Sequence, residues 1–551
     1  MASRHSVARW LTACATTIAL LAVLVPGAQA QKEDAGPPPA LAWGDCSAIE
    51  GANPRAQCAT ATVPKDYAQR SRGTLDLYVA RLPAKRPGSR IGSLFVNFGG
   101  PGGTAADRIA TEPDTTEEGA TFAALNERFD IVGVDPRGVG LSRPSIDCRA
   151  NQETQGVYAQ PFERPEILDP RAMVGRDVDY IAQCVRRNRE VLPYVSTANF
   201  ARDLDGLRAA VGDDRMTYLG FSYGTFLGAT YESMFPRNTR AIVLDGALDP
   251  DQYVNDPLAS LDEQSAGFER AVGRFLAACA RDQAACAGFG GDDPWDALER
   301  LIEQAYATPI PAGDRPAIDG DDVNAAVVQA VYAKQLWPFL ARALAALERG
   351  DGSRLRQLVD IFYGDNGDGT YDPITDRYYT ISALEQRYPH DLRTFLREGR
   401  RSYQRYDHAW WNHGYVEAAW GLYPVEPRGV FRGPFVNPAG APPTLVVGTT
   451  YDPATPYKEA RRLVQQLGNA RLLTMRGDGH TAYGGNSACI DAAVDAYLID
   501  GTVPAEGTSC RQEVPFAQPQ PAVPAPLSAM SEQQQDGRAI AVGPHVKPDF
   551  R

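Results

Sequence analysis

The chain has 551 residues, of which 55 are Lys or Arg and 68 are Asp or Glu, so its formal net charge is −13. Proteins that bind nucleic acid through general electrostatics carry an excess of positive charge, which this chain lacks. The composition therefore predicts no nucleic-acid partner.

The first 30 residues have the pattern of a signal peptide. Arg4 and Arg9 form a basic start, an apolar run covers residues 11–25, and Ala28–Ala30 has the small-x-small form of a signal-peptidase site. Because the apolar run is too short for a spanning helix, we expect a secreted or periplasmic protein without a stable membrane anchor. Removal of residues 1–30 takes away two arginines and leaves a formal net charge of −15.

Short apolar runs that are typical of buried strands alternate with helical or loop stretches over much of the chain. These runs cover residues 74–82, 93–98, 129–134, 216–221, 241–245, 444–448 and 471–475. Such alternation predicts an α/β fold on a mostly parallel, doubly wound sheet.

A glycine-rich segment, Gly99–Gly103, follows the strand-like run 93–98. Without side chains, its backbone amides can approach a reacting carbonyl oxygen, but Pro101 has no N–H to donate. We therefore predict an oxyanion hole formed by the amides of Gly100 and Tyr223. The same residues are compatible with a tight glycine turn before a helix.

The segment Gly220–Gly224 has the form G-x-S-x-G and places Ser222 between the strand-like run 216–221 and a helical pattern over 225–235. At a strand-to-helix turn this motif lifts a serine hydroxyl clear of the sheet as a nucleophile. A motif this short also occurs by chance, as two helix-packing glycines with an incidental serine. The residues that follow decide between the two interpretations.

An acid and a histidine follow Ser222 in the chain order of the α/β-hydrolase catalytic triad. Asp452 follows the strand-like run 444–448, and His480 follows the run 471–475. A neutral His480 would take the hydroxyl proton, and the Asp452 carboxylate would orient the imidazole and stabilise its protonated form.

Two other carboxylates compete with Asp452 for the acid position. Asp245 ends the strand-like run 241–245 and is the more serious rival, whereas Asp478 lies two residues before His480 and is better suited to shaping that loop. The alternative to a triad is that Asp452 starts a turn before a proline and that His480 is a surface loop residue.

The alternation of strands stops between residues 249 and 440, where apolar residues recur at spacings of three and four. Helical patterns in this interval cover residues 264–280, 295–307, 321–349 and 403–420. We predict a helical lid insertion over residues 256–435 that lies over the strand ends and shapes the substrate site.

The remaining boundaries follow from these segments. Residues 31–255 form the first part of the α/β core and residues 436–510 form the second part. The tail over residues 511–551 is rich in Pro, Gln and Ala, and we predict that it is disordered.

Cysteine usage agrees with export. Of nine cysteines, Cys14 leaves with the signal peptide, and an even eight remain, as expected of an oxidised protein. No C-x-x-C motif occurs, and the interval from His408 to His413 does not place both rings on one helix face. We therefore predict no metal site and no cofactor.

Several motifs together resemble one known family. These motifs are Trp43-x-x-Cys46 with Cys58–Pro64, Phe98–Gly103, Asp135–Gly140, Gly220–Thr225, Leu244–Pro250 and Asp452–Pro456. They resemble the secreted tripeptidyl aminopeptidases, serine peptidases of the prolyl aminopeptidase group within the α/β-hydrolases, over roughly residues 43–510. The chain departs from the pattern at Phe98, where prolyl aminopeptidases commonly have histidine, and lacks any cysteine between Cys286 and Cys489.

The resemblance implies a serine exopeptidase of tripeptidyl or prolyl aminopeptidase type, which cleaves peptides near their free N-terminus through Ser222, His480 and Asp452. An acidic lid residue would bind the substrate amine, and Glu385 is the candidate. The resemblance also supports disulfide bonds between sequence neighbours, which pair Cys46 with Cys58, Cys148 with Cys184, Cys279 with Cys286, and Cys489 with Cys510. Peptides are then the expected partners, whereas the oligomeric state and the number of residues released per cleavage stay open.

Two other functions remain open from the sequence. A carboxylesterase or lipase would use the same machinery without an amine anchor, because esterases share this architecture. An inactive hydrolase fold could serve as a binding protein, although all three triad positions are filled.

Overall fold

The structure is a computed structural model and describes residues 38–516 of the chain. The predicted signal peptide at residues 1–30 and the tail beyond residue 516 lie outside the described residues. No helix within residues 38–516 combines the length and the apolar character needed to cross a membrane.

Nine strands of the described chain form one sheet, in the order β1-β2-β4-β3-β5-β6-β9-β10-β11. The strands are β1 (Gln57–Pro64), β2 (Thr74–Leu82), β3 (Gly92–Asn97), β4 (Phe129–Val134), β5 (Met216–Phe221), β6 (Thr239–Asp245), β7 (Ile310–Ala312), β8 (Arg315–Ile318), β9 (Thr444–Tyr451), β10 (Ala470–Asp478) and β11 (Ser509–Arg511). Strand β2 is antiparallel to its neighbours β1 and β4, and the other neighbouring pairs are parallel. The mostly parallel sheet predicted from the strand pattern is confirmed.

The central strands are apolar throughout because both faces of the sheet are covered. In β3, Phe95 packs into the core on one face, whereas Leu94 and Val96 pack into the core on the other. Every residue of this strand is buried. Side chains alternate across a strand, so a continuous apolar run supplies both cores at once.

Helices cover both faces of the sheet and fill the interval between β6 and β9. The α-helices of the described residues are α1 (Ala106–Ala110), α2 (Ala123–Asn126), α3 (Pro170–Asn188), α4 (Thr197–Ala210), α5 (Tyr223–Met234), α6 (Pro250–Asn255), α7 (Pro257–Arg281), α8 (Pro294–Ala307), α9 (Gly320–Val331), α10 (Trp337–Glu348), α11 (Ser353–Tyr363), α12 (Ile374–Glu385), α13 (Leu392–Arg405), α14 (Ala418–Gly421), α15 (Tyr457–Leu467) and α16 (Ala488–Asp500). Helices α6 to α14 and the antiparallel hairpin β7–β8 form the insertion. Its apolar residues and those of one sheet face belong to one continuous core.

Two helical predictions in the insertion were wrong in their extent. The predicted helix over 321–349 is two helices, α9 and α10, because Pro338 lies in the first turn of α10 and favours a new helix start. The predicted helix over 403–420 is mostly irregular. There Gly414 has a φ of 91°, and a Cβ on it would lie 2.2 Å from the Gly399 nitrogen, so the chain turns tightly against α13.

The predicted boundary of the disordered tail at residue 511 was also wrong. Arg511 belongs to β11, and the ring of Phe516 packs on that of Trp337 with 6.0 Å between the centroids. The short β11 lacks the apolar pattern of a core strand, and its pairing with β10 places it at the sheet edge.

Four disulfide bonds occur in the described residues. They join Cys46 to Cys58, Cys148 to Cys184, Cys279 to Cys286, and Cys489 to Cys510. Disulfides persist in oxidising compartments, so these bonds are consistent with an exported protein.

Candidate active site

Ser222 lies at the sharp turn between β5 and α5. Its φ is 55° and its ψ is −124°, a conformation that is rare for a residue with a side chain. A Cβ on Gly220 would lie 2.4 Å from the carbonyl oxygen of Gly224, and one on Gly224 would lie 2.8 Å from that of Asn97. The two glycines of G-x-S-x-G are therefore required by close packing, and the turn is the strained serine turn that the motif predicts.

His480 and Asp452 meet at the carboxyl ends of β10 and β9. The Nδ1 atom of His480 lies 2.9 Å from both carboxylate oxygens of Asp452, and both side chains are buried. Asp452 also accepts hydrogen bonds from the backbone amides of Ala454 at 2.9 Å and Thr455 at 2.8 Å. These donors hold the carboxylate in place, so it can orient the imidazole and stabilise its protonated form.

Asp245, the rival acid, has a different role in the structure. Its carboxylate accepts hydrogen bonds from the amides of Ala482, at 2.9 Å, and Tyr483, at 2.8 Å. Its backbone carbonyl accepts the amide hydrogen of Ser222 at 2.9 Å. Burial raises the pKa of Asp245 to about 7, against the effect of the two amides. Asp245 thus links the serine turn to the loop after His480, while Asp452 contacts the imidazole.

The ring of His480 lies close to the serine turn without bonding to it. A Cβ on Gly246, next to the residue that binds the Ser222 amide, would lie 3.0 Å from the Cε1 atom of His480. The Nε2 atom is buried and has no hydrogen-bond partner in the described structure. Catalytic hydrogen bonds are often long without substrate and shorten in the complex, so this geometry leaves Nε2 available to the hydroxyl.

The inserted helices hold both loops that carry the acid and the histidine. The amide of His480 donates to the carbonyl of Tyr332, at the end of α9, at 2.7 Å. A Cβ on Gly267 of α7 would lie 2.3 Å from the carbonyl oxygen of Pro453, so α7 packs directly on the loop after Asp452. Neither Tyr332 nor Gly267 belongs to a motif, so the sequence gives no signal for either role.

The predicted oxyanion donors lie in two segments that pack on each other. A Cβ on Gly99 would lie 2.9 Å from the Cβ of Ser222 and 3.2 Å from the nitrogen of Tyr223. Among the described residues, neither the Gly100 amide nor the Tyr223 amide donates a hydrogen bond to the protein. Both amides therefore stay free to bind an oxyanion. Asp135 supports this loop by accepting hydrogen bonds from the two amides that begin α1.

Glu385, the predicted amine anchor, is buried at the end of α12. One carboxylate oxygen accepts the amide hydrogen of Thr197 at 2.7 Å, whereas the other has no hydrogen-bond partner in the described structure. Burial raises the pKa of Glu385 to about 7. Burial, and to a lesser degree the charge of Glu385, raises the pKa of Tyr223, which follows the nucleophile. The hydroxyl of Thr197 shares a hydrogen bond with the Tyr223 hydroxyl, so Thr197 links the carboxylate to the side chain next to Ser222.

A second buried glutamate of the insertion, Glu417, was not singled out by sequence analysis. Its Oε2 atom lies 2.5 Å from the Nδ1 atom of His413 and accepts the Gly414 amide hydrogen at 2.8 Å. Its Oε1 atom is buried and has no partner among the described residues. Burial, together with the charge of Glu417, raises the pKa of Tyr378, whose backbone packs on the glycine-rich loop. The pair His413 and Glu417, four residues apart, was the available sequence signal.

Comparison with known proteins agrees with this geometry. The TAP-like protein family matches residues 406–510, and the alpha/beta hydrolase fold family matches residues 101–287. Serine protease Hip1 of Mycobacterium tuberculosis is 33% identical over 541 residues, which cover 93% of this chain and 99% of that protein. Tripeptidyl aminopeptidase of Streptomyces lividans is 32% identical over 493 residues, or 87% of each chain.

Another relative has a name from a different class of hydrolase. Carboxylesterase B of Mycobacterium tuberculosis is 33% identical over 461 residues, which cover 83% of this chain and 86% of that protein. All three relatives match far more of the chain than the active-site segments alone. The chain belongs to the tripeptidyl aminopeptidase-like family of serine hydrolases with the α/β-hydrolase fold.

Proposed function

We propose that this protein is an exported serine exopeptidase that hydrolyses peptide bonds near the free N-terminus of peptides. The main support is the pairing of His480 with Asp452 beside the strained turn that presents Ser222. The names of the relatives, a serine protease and a tripeptidyl aminopeptidase, favour peptides as substrates. The four disulfides favour a secreted or periplasmic location.

The reaction is acyl transfer to water. The hydroxyl of Ser222 attacks the scissile carbonyl carbon, its proton passes to Nε2 of His480, and Asp452 stabilises the resulting imidazolium. The amides of Gly100 and Tyr223 bind the oxyanion, and His480 then protonates the leaving amine. Water attacks the acyl-enzyme with His480 again as the base, which releases the N-terminal fragment and restores the serine.

An exopeptidase needs a counter-charge for the substrate amine at a set distance from the nucleophile. The carboxylate of Glu385 is linked through Thr197 to the hydroxyl of Tyr223, the residue after the nucleophile. One of its oxygens is buried without a partner among the described residues. Buried polar atoms without partners are uncommon, and a bound ammonium group would satisfy this one. We assign Glu385 as the amine anchor, with Glu417 as the alternative in the same insertion.

A carboxylesterase is the second candidate, because carboxylesterase B is a relative of comparable identity. The test compares peptides with a free N-terminus, the same peptides N-acetylated, and a short-chain acyl ester. Product masses from a mixed peptide library then give the number of residues released. Selective cleavage of the free peptides supports the exopeptidase, whereas ester hydrolysis with no peptide cleavage supports the esterase.

Catalysis by this site is tested separately from substrate class. A fluorophosphonate probe should label the wild-type enzyme, and Ser222→Ala should abolish that labelling without changing the melting temperature by more than a few degrees. Labelling that persists in Ser222→Ala would place the nucleophile elsewhere. Absence of labelling in the wild-type protein would instead favour a binding protein on a hydrolase fold.

A further inference from the structure

A cleft outside the catalytic residues lies at the edge of the sheet next to β10 and β11. It has a volume of about 620 Å³, which is within the usual range of ligand sites. Its walls come from the end of β10, the segment that follows β11, and α7. The cleft is lined by four basic and two acidic residues, so it carries an excess of positive charge, whereas the whole chain has a formal net charge of −13.

Two of the basic side chains already have a counter-charge. Asp478 forms ion pairs with Arg274 and with Lys334, the latter at 3.5 Å. Gln512 also accepts a hydrogen bond from Lys334 at 3.4 Å. The other acid, Glu513, accepts the Ala488 amide hydrogen at 3.3 Å, so its carboxylate is engaged at the start of α16.

The other two basic side chains, Arg476 and Arg511, form no ion pair with any residue of the described part of the chain. They are register partners across the parallel pair β10–β11, so they extend from the same face of the sheet. Neither makes an ion pair or a side-chain hydrogen bond within residues 38–516, and both are exposed. Like charges directly opposite each other on neighbouring strands are destabilising. A bound anion between the two guanidinium groups would remove this repulsion.

We propose that this cleft binds an anion that carries carboxylate or phosphate groups, held by Arg476 and Arg511. Guanidinium groups form paired hydrogen bonds with the oxygens of such groups, which a single ammonium group cannot do. The cleft contains Gly477 and Asp478, just before His480, and Tyr451, just before Asp452. The anion is therefore either a free small ion or an acidic part of a peptide bound at the adjacent active site, and the second source rests on the proposed function.

The experiment measures binding by calorimetry to the Ser222→Ala protein, so that its outcome does not depend on catalysis. The probes are inorganic phosphate, citrate, and a peptide ending in three aspartates, with the matching peptide that ends in three asparagines as control. The double variant Arg476→Ala/Arg511→Ala should weaken binding of the anionic probes at least tenfold. The double variant Arg186→Ala/Arg189→Ala, which removes one exposed arginine in the last turn of α3 and another just after this helix, should change it less than twofold.

The binding results distinguish a free small ion from an acidic part of a bound peptide. Binding of phosphate or citrate, but not of the aspartate peptide, identifies a small-ion site, and preference for the aspartate peptide identifies a substrate site. The proposal is overturned if no anionic probe binds at a concentration of about 10 mM. It is also overturned if the two double variants lose binding equally, because the effect would then be general electrostatics. A failure of the exopeptidase assignment alone leaves the small-ion outcome intact.

Discussion

Replacement of Glu385 by Gln should remove the preference for a free N-terminus while leaving the fold intact. Gln retains a carbonyl oxygen that can accept the Thr197 amide hydrogen, which Glu385 now accepts at 2.7 Å. The substitution removes the negative charge of the Glu385 carboxylate. An ammonium group about 4 Å from a carboxylate gains about 4 kcal/mol at an effective dielectric constant of 20.

Desolvation of both groups offsets part of this gain, so we expect a net loss of about 3 kcal/mol, which lies within the usual cost of removing one partner of a buried charge pair. This corresponds to a loss of about 100-fold in kcat/KM for a peptide with a free amine. The assay should be run near pH 7.5. Burial raises the pKa of Glu385 to about 7, so the carboxylate is then mostly ionised, and the peptide amine is still largely protonated.

The controls decide what the loss means. The N-acetylated peptide should change less than twofold in kcat/KM, and the melting temperature should stay within about 2 °C. Equal losses for the free and acetylated peptides, or no loss for either, would contradict the role of Glu385 as the amine anchor. A selective loss in Glu417→Gln, with none in Glu385→Gln, would move the amine anchor to Glu417.

Four further substitutions test other parts of the structure. Asp452→Asn should lower kcat about 10⁴-fold on a free peptide because it orients the wrong imidazole tautomer, and a loss below tenfold would favour Asp245 as the acid. Gly267→Ala should cost about 1–3 kcal/mol in the free energy of unfolding and reduce kcat, since its Cβ would press on the Pro453 carbonyl. A Cβ on Gly273 in the same helix would have no neighbour within 4 Å, so Gly273→Ala should raise the free energy of unfolding by up to about 1 kcal/mol in denaturant titrations. A larger loss of stability in Gly273→Ala than in Gly267→Ala would contradict this packing. Burial raises the pKa of Glu232 to about 8, whereas its pKa in the unfolded chain is about 4.3. Between these two pH values the unfolded chain releases the proton and the folded chain retains it. The stability that this carboxyl contributes is therefore fully present below about pH 4.3 and is lost as the pH rises through 8. Glu232→Gln should therefore gain stability relative to wild type from about pH 4.3 to 8, by at most about 1.4 kcal/mol per pH unit, and a gain that is flat with pH would exclude this cause.

The central strands and the serine turn were predictable because their determinants are local. A strand buried on both faces must be apolar along its length, as in β3, and the turn at Ser222 needs glycines where backbone atoms approach closely. The edge strand β11 was missed because it has only three residues, with the buried Cys510 between two exposed ones, and so short a segment carries no such pattern. The irregular segment before α14 was mistaken for a helix because its buried aromatic residues have helical spacing by chance.

Short motifs and hydrophobic periodicity predict the order of serine, acid and histidine and a sheet that brings strand ends to one edge, because both are local properties of the chain. The contact of His480 with Asp452, and not with Asp245, is seen only in the folded chain, because it depends on the distance between side chains on separate strands. The folded chain alone shows that α7 and α9 support the loops of the site through Gly267 and Tyr332. Such contacts join residues far apart in the chain, and their packing has no local signature in the sequence.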